Sequence, residues 1–484
     1  MQFFAIQRII GSLLMIFSVT QLPPVIVSLI YNDGSLDVFL TTFTVTLVTG
    51  LVLWLPVLKS RKELRLRDGF IVVVAFWTVL GLFGSLPLIL SEQITISITD
   101  SIFESISGLT TTGATVITNI EALPKSILYY RQQLQWLGGM GIVVLAVAIM
   151  PMLGIGGMQL YRAETPGPMK DSKLTPRLTE TAKALWYIYL TLTILCGLGY
   201  WFAGMSAFDA VAHSFSTVSI GGFSTHDASM AYFIDKPLIE VTAIIFMFIS
   251  GINFALHFTS WRNRSIKAYL CDAEFKTYVS LLFGAIVIST SYLFYKGHFA
   301  TVDQTILYSI FQVVSIGTTT GFTTQQYHLW PGFLPVMLLF LSFVGGCAGS
   351  TGGGMKVIRF LLLFKQGLRE IMRVIHPNAV LSIKVGGKPL QTRVIESVWG
   401  FFSVYVAIFS IMLLILMFLG LDQVTAFSAV AACMNNLGPG LNEVGLNYAG
   451  LDDGVKWILC FAMLLGRLEI FTLLVLLTPA FWKR

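Results

Sequence analysis

Charge is what this chain has least of. Of its 484 residues only 12% are charged and 55% are hydrophobic, whereas a water-soluble domain carries about twice that charged share. That composition excludes an ordinary soluble domain and fits a protein that crosses a membrane several times. Cysteine is also sparse. Cys196, Cys271, Cys347, Cys433 and Cys460 lie in or near apolar segments without the spacing of a metal site or disulfide framework, so they read as packing residues. A nucleophile paired with a base is lacking, and so is a Walker-type glycine loop. No covalent chemistry is expected, the chain is not read as an enzyme, and no covalent or organic cofactor is implied. A cleavable signal peptide is not expected either. The first apolar stretch is long enough to span, and no A-x-A-like site follows it.

What the chain has instead is long apolar runs. A membrane span needs about 20 mostly apolar residues, and ten candidates lie near 5–31, 37–58, 69–90, 128–153, 182–204, 237–260, 275–295, 332–364, 394–420 and 455–481. Lysine and arginine gather in alternate connections: Arg8; Lys59 to Arg67; Arg162 to Lys183; Arg262 to Lys276; Lys356 to Arg393; Lys483 and Arg484. Together these are 25 of the 31 basic residues. The positive-inside rule puts that side, with both termini, in the cytoplasm. The opposite side keeps Lys125, Arg131, Lys236, Lys296 and Lys456. The net charge of +6 is therefore a topology signal and gives no reason to expect nucleic acid. The basic loops near 162–183, 262–276 and 365–393 have two readings, attraction to anionic lipid or a docking face for a partner.

Four short polar segments ending on glycine recur between apolar stretches. They contain Thr111-Thr112-Gly113, Ile220-Gly221-Gly222, Thr318-Thr319-Thr320-Gly321 and Asn435-Asn436-Leu437-Gly438. Asp100 precedes Gly113 by thirteen residues, and Asp209 precedes Gly222 by the same interval. The runs leading to each glycine are long enough for two to three helical turns. Each unit thus reads as a span, a short helix, an extended glycine-containing stretch and a second span. Four units use eight spans, and two remain at the N-terminus. Non-helical backbone cannot face lipid, because its unsatisfied groups cost several kcal/mol each. It is tolerated where it lines a cavity. Short helices aimed at the membrane centre bring their partly negative C-terminal ends there, which favours a cation. Backbone carbonyls can then replace its hydration shell, as in potassium filters.

At these residues the chain resembles the Trk/Ktr/HKT superfamily of cation transporters, and among them the membrane subunits of bacterial Trk potassium uptake systems. The resemblance covers essentially the whole chain. It rests on Leu109–Thr115 (LTTTGAT), Trp136–Gly141 (WLGGMG), Ser219–Asp227 (SIGGFSTHD), Val344–Lys356 (VGGCAGSTGGGMK), Asn435–Gly440 (NNLGPG) and Gly466–Phe471 (GRLEIF). It implies an all-α polytopic membrane protein, with four pseudo-repeats of helix–pore helix/filter–helix around a central pore and two extra N-terminal transmembrane helices. The corresponding division is 1–67 for the two N-terminal helices, then 68–160, 161–265, 266–385 and 386–484 for the four repeats. The resemblance also implies a homodimer with one pore per subunit, and a TrkA-like cytosolic regulatory ring that binds NAD or ATP. The transported ion would be K+, since glycine at all four key positions, Gly113, Gly222, Gly321 and Gly438, goes with potassium preference. The expected location is the bacterial inner membrane. A proton- or sodium-coupled potassium symporter is the alternative.

Two features point to a gate. The eighth span is interrupted by Gly345-Gly346-Cys347-Ala348-Gly349-Ser350-Thr351-Gly352-Gly353-Gly354, six glycines in ten residues. Each weakens a helix by up to ~1 kcal/mol relative to alanine. One reading is a loop at membrane depth that obstructs the pore, as the resemblance implies; the other is an ordinary cytoplasmic loop. Arg467 lies inside the last span, where a buried arginine costs at least ~2.5 kcal/mol and marks a partner or a pathway. It could repel a cation and donate to carbonyls of the glycine loop, or form a structural salt bridge on a neighbouring helix. Glu469 is not its obvious partner, being two positions on. Of the other singletons, His213 reads as a packing residue and Asp209 as a pore-helix N-terminal carboxylate. His226 and Asp227 are expected at the outer vestibule. Glu104 either concentrates cations or is structurally paired.

Overall fold

The structure is a computed structural model that describes residues 2–58, 66–141, 178–379, 381–390, 392–468 and 470–483. The second half of the fourth expected span (142–153) lies outside the described residues. So do Lys59, Arg61, Lys62, Arg65, Arg162, Lys170, Lys173, Arg177, Glu469 and Arg484.

Among the described residues, apolar composition and length make six helices able to cross a membrane: Phe3–Tyr31, Leu36–Val57, Arg67–Leu90, Lys183–Phe202, Ala273–Lys296 and Val394–Phe418. The first has a break at Thr20 and Gln21, just ahead of Pro23 and Pro24. Two further spans differ from the straight helices that their hydropathy suggests. Pro237–Ser250 and Phe254–Asn263 meet at 91°, and Asp453–Arg467 and Phe471–Leu477 at 118°. The eighth expected span is likewise split, into Leu334–Val344 and Val357–Ile375. In the first repeat, helix Lys125–Trp136 passes into a wider π-turn, Leu137–Gly141. The second helix of every repeat therefore departs from regular α-helix. The only strands among the described residues form a small hairpin, Lys384–Val385 with Lys388–Pro389.

Between the spans lie four short helices: Ile98–Leu109, Ala207–Val218, Val302–Gly317 and Gln423–Met434. Each starts at a side-chain cap, which satisfies N–H groups that a helix start leaves open. Ser97, Ser206 and Thr301 accept from the backbone N–H three residues on, and Asp422 accepts from Val424 and Thr425. Ser97 and Asp100 form a reciprocal capping box. Hydrogen bonds from Thr425, hydroxyl and backbone, hold the exposed Asp422 carboxyl below its ordinary pKa. The third short helix is 16 residues long and the others 12. It is thus about one turn longer than the other three.

The two N-terminal helices cross at a pair of glycines. A Cβ on Gly11 would lie 2.8 Å from the carbonyl oxygen of Gly50, and one on Gly50 would lie 2.9 Å from that of Gly11. Such backbone-to-backbone approach is how membrane helices gain contact without a hydrophobic driving force. Asp33, in the turn between these helices, accepts from Ser28, Ser35 and, at 2.8 Å, Ser126 N–H, joining the pair to the first repeat. Gly50→Leu should force the pair apart at a cost of about 2 kcal/mol, as overpacking does. The check is the melting temperature of the detergent-solubilised protein, which is expected to fall by several degrees.

Candidate ion pathway

Every short helix ends the same way. Thr112, Gly221, Thr320 and Leu437 donate their N–H to the carbonyls of Ser107, Ser216, Ser315 and Ala432 at 2.7–2.8 Å. The preceding residues, Thr111, Ile220, Thr319 and Asn436, donate to Gly108, Thr217, Ile316 and Cys433 at 3.0–3.2 Å. This six-to-one and five-to-two pairing is the Schellman stop, and it requires a left-handed residue. That residue is Thr111, Ile220, Thr319 or Asn436, with φ of 56°, 56°, 70° and 54°. Only the asparagine suits it. β-Branched residues there are strained outliers, and strain of this kind costs about 1–3 kcal/mol per site and clusters at functional sites.

Two residues later comes the glycine, again with positive φ: Gly113 at 79°, Gly222 at 82°, Gly321 at 82° and Gly438 at 94°. A Cβ on Gly113 would strike the carbonyl oxygen of Gly221. One on Gly222 would strike that of Thr320, one on Gly321 that of Leu437, and one on Gly438 that of Thr112. The contacts run from each repeat to the next and return from the fourth to the first. The four segments thus converge in a closed ring around one axis, in chain order.

The support behind this ring comes from side chains, most of which attracted no notice in the sequence. Arg131 and Glu104, each only 1% exposed, pair at 2.6 Å. Glu104 also accepts from Val116 N–H at 2.9 Å and from the Thr115 hydroxyl, while Arg131 reaches the Ser224 carbonyl at 3.3 Å and stacks over Phe223. Glu104 is therefore structurally paired. The pair joins the extended stretches beyond the first and second glycines. Gln135 spans the second segment, donating to the Gly221 carbonyl at 2.5 Å and accepting from Phe223 N–H at 3.0 Å. In the third, Gln312 accepts from Thr324 N–H and Ser315 donates to Phe322. In the fourth, Tyr448 donates to Gly438, and Tyr327 to Pro439 and Gly440. The signal for the first-repeat group was present: Arg131-Gln132-Gln133-Leu134-Gln135 puts four polar side chains inside an otherwise apolar span.

Of the singletons, His213 is a hydrogen-bonded packing residue, held between the Asp209 carbonyl and the Ser224 hydroxyl. Asp209 sits in the first turn of its helix, accepting from Ser206 and Thr225. His226 stacks on Tyr232 beside Glu121, and Asp227 accepts from Ile120 N–H.

The glycine-rich stretch lies directly against the ends of the short helices. Thr351 donates to the Val218 carbonyl at 2.9 Å, Gly353 N–H to the Thr319 hydroxyl at 2.7 Å and Gly354 N–H to the Asn435 carbonyl at 3.0 Å. Repeats two, three and four are all touched. Its flanks are anchored by Glu274, whose carboxylate accepts from Ala348 and Ile358 N–H groups, and by the bend of the sixth span. There Cys347 N–H donates to Gly251 and Phe254 N–H to Gly349. Lys356 closes the loop on the Gly352 carbonyl. Arg467 is the last residue of helix Asp453–Arg467, at the bend and not well inside a straight span. It donates to the Thr351 carbonyl at 3.3 Å, to Gly139 at 2.5 Å and to Gly138, and lies over Trp77. Arginine and loop together thus bridge to the first repeat.

Removing one member of a buried pair leaves a stranded charge and costs about 3–5 kcal/mol. Arg131→Met should therefore abolish recovery of monodisperse protein on size-exclusion chromatography, while Arg131→Met with Glu104→Gln should restore part of it.

Comparison with known proteins follows the same outline. The TrkH family profile, described as a cation transport protein, matches residues 35–484. The TrkH potassium uptake protein of the Trk system in Halomonas elongata is 57% identical over 479 residues, covering 99% of each chain. Its counterpart in Escherichia coli K12 is 55% identical over 483 residues, covering 100% of each. The crystal structure of the potassium transporter TrkH from Vibrio parahaemolyticus superposes with a TM-score of 0.91 at 53% identity over the full length of both chains.

Proposed function

We propose, on the premise that this chain belongs to the TrkH family of cation transport proteins, that it carries potassium into the cell through one central pore. The observation that carries this reading is the closed ring of four glycines and four carbonyls. Main-chain oxygens from four repeats, held by strained helix stops, form a site that can substitute for the water shell of an alkali cation without any carboxylate. The candidate filter is Thr111–Gly113, Ile220–Gly222, Thr318–Gly321 and Asn435–Gly438. The host membrane is the bacterial inner membrane, with both termini in the cytoplasm. The protein works as a homodimer beside a TrkA-like nucleotide-binding ring.

The gate is the stretch Gly345–Gly354 with Arg467. Its N–H and hydroxyl donors occupy polar groups at the ends of three pore helices, where a cation leaving the filter would otherwise find partial negative charge. Arg467 adds a positive charge behind the loop and ties it to the first repeat. Opening requires these bonds to be exchanged for water. The partner ring supplies the bias between the two arrangements.

Expression in a strain lacking potassium uptake tests the transport reading. The wild-type chain should restore growth at low potassium, and Gly222→Ser, whose Cβ would meet the Thr320 carbonyl, should abolish it. Failure of reconstituted wild-type protein to move any monovalent cation would sink the proposal. For the gate, Arg467→Ala is expected to raise potassium flux severalfold in liposomes without the partner. Unchanged flux would remove Arg467 from it.

A further inference from the structure

The ring is regular in its backbone but not in its side chains. The residue immediately before the key glycine is Thr112, Gly221, Thr320 and Leu437 in the four repeats. In repeats one and three the threonine hydroxyl pairs with the threonine two positions earlier, both at 2.8 Å. In repeat four the leucine is fully buried. In repeat two there is no side chain. Gly221 is absent from the residues with positive φ, so its backbone does not need glycine. Space does: a Cβ there would collide with the side-chain amide of Gln135. Gly221 is a glycine because Gln135 fills its place.

Gln135 comes from the first repeat and is fully buried. Its two amide ends grip the peptides on either side of Gly222, donating to Gly221 and accepting from Phe223. One turn earlier on the same face, Arg131 holds the Ser224 carbonyl. The Gly221 carbonyl is one of the four that close the ring. A carbonyl that already accepts from an amide has one lone pair engaged and offers a cation a weaker field. A peptide gripped on both sides also yields less when a smaller ion tries to draw it inward.

We propose that Gln135 is a positioning residue that sets cation selectivity by holding the second filter segment at the spacing of a larger ion, against collapse onto a smaller one. This rests on the transport reading above. The test is potassium and sodium flux in proteoliposomes containing the full-length purified protein. Gln135→Leu removes both grips and should lower the potassium-to-sodium ratio roughly threefold to tenfold, the equivalent of about one net hydrogen bond. The ratio within one preparation does not depend on how much of the protein folds, so simple destabilisation would leave it unchanged. Gln135→Glu retains the acceptor for Phe223 and loses the donor to Gly221, so it should shift the ratio even if the leucine variant fails to fold. Gln135→Ala combined with Gly221→Thr rebuilds the pattern of repeats one and three and should recover part of the selectivity. A folded, conducting Gln135 variant with the wild-type ratio overturns the proposal alone. A folded wild-type protein that carries no potassium overturns the transport reading and the role of Gln135 with it.

Discussion

Backbone inside a membrane has no water to bond to, so every N–H and C=O there needs a partner within the protein. This chain places four stretches of non-helical backbone at that depth. They persist because each is closed at one end by a Schellman stop and on its flanks by buried side chains. The stops impose left-handed geometry on two threonines and an isoleucine, a cost that a free chain would relax. Ring closure prevents that, since each segment is wedged against the next through a glycine that has no room for a side chain. The architecture follows from this: four units, because four are needed to close the ring, and pore helices whose C-terminal ends face a common centre.

Equality of the backbone is achieved with unequal means. An arginine–glutamate pair supports the first segment, glutamine the second, glutamine and serine the third, tyrosines the fourth. Internal duplication can preserve main-chain geometry while each copy's supporting residues diverge, because a filter of carbonyls makes no demand on side-chain identity beyond satisfaction of its polar groups. The same freedom lets the second helices of the repeats break differently. One opens into a π-turn, two bend sharply and one unravels into the glycine-rich stretch. The donors of the unravelled one meet the ends of the short helices of three repeats, and Arg467 reaches it from the fourth.

Much of this was legible in the residues. Four polar segments ending on glycine and the glycine interruption at 345–354 are local signals, and the short helices and the broken span that they announce are both present. The bends at Gly251–Asn253 and after Arg467 were not legible. Their flanks are apolar enough to pass for continuous helices, and hydropathy reports burial but not direction. The partners of Arg131 and Gln135 were not legible for a related reason. A polar side chain in a span announces a partner without saying which one, and theirs lie on segments some 90 residues away.

The amino-acid sequence by itself determined that the chain is a membrane protein of many apolar helices and that four like units exist. These follow from composition and short-range spacing, which act residue by residue. Only the tertiary structure decided that the four units meet in order around one axis, that Glu104 is spent on Arg131 rather than on cations, and that Gly221 yields its space to Gln135. Each of those facts depends on groups distant in the chain competing for the same few ångströms and the same lone pairs, and local pattern does not say which groups meet.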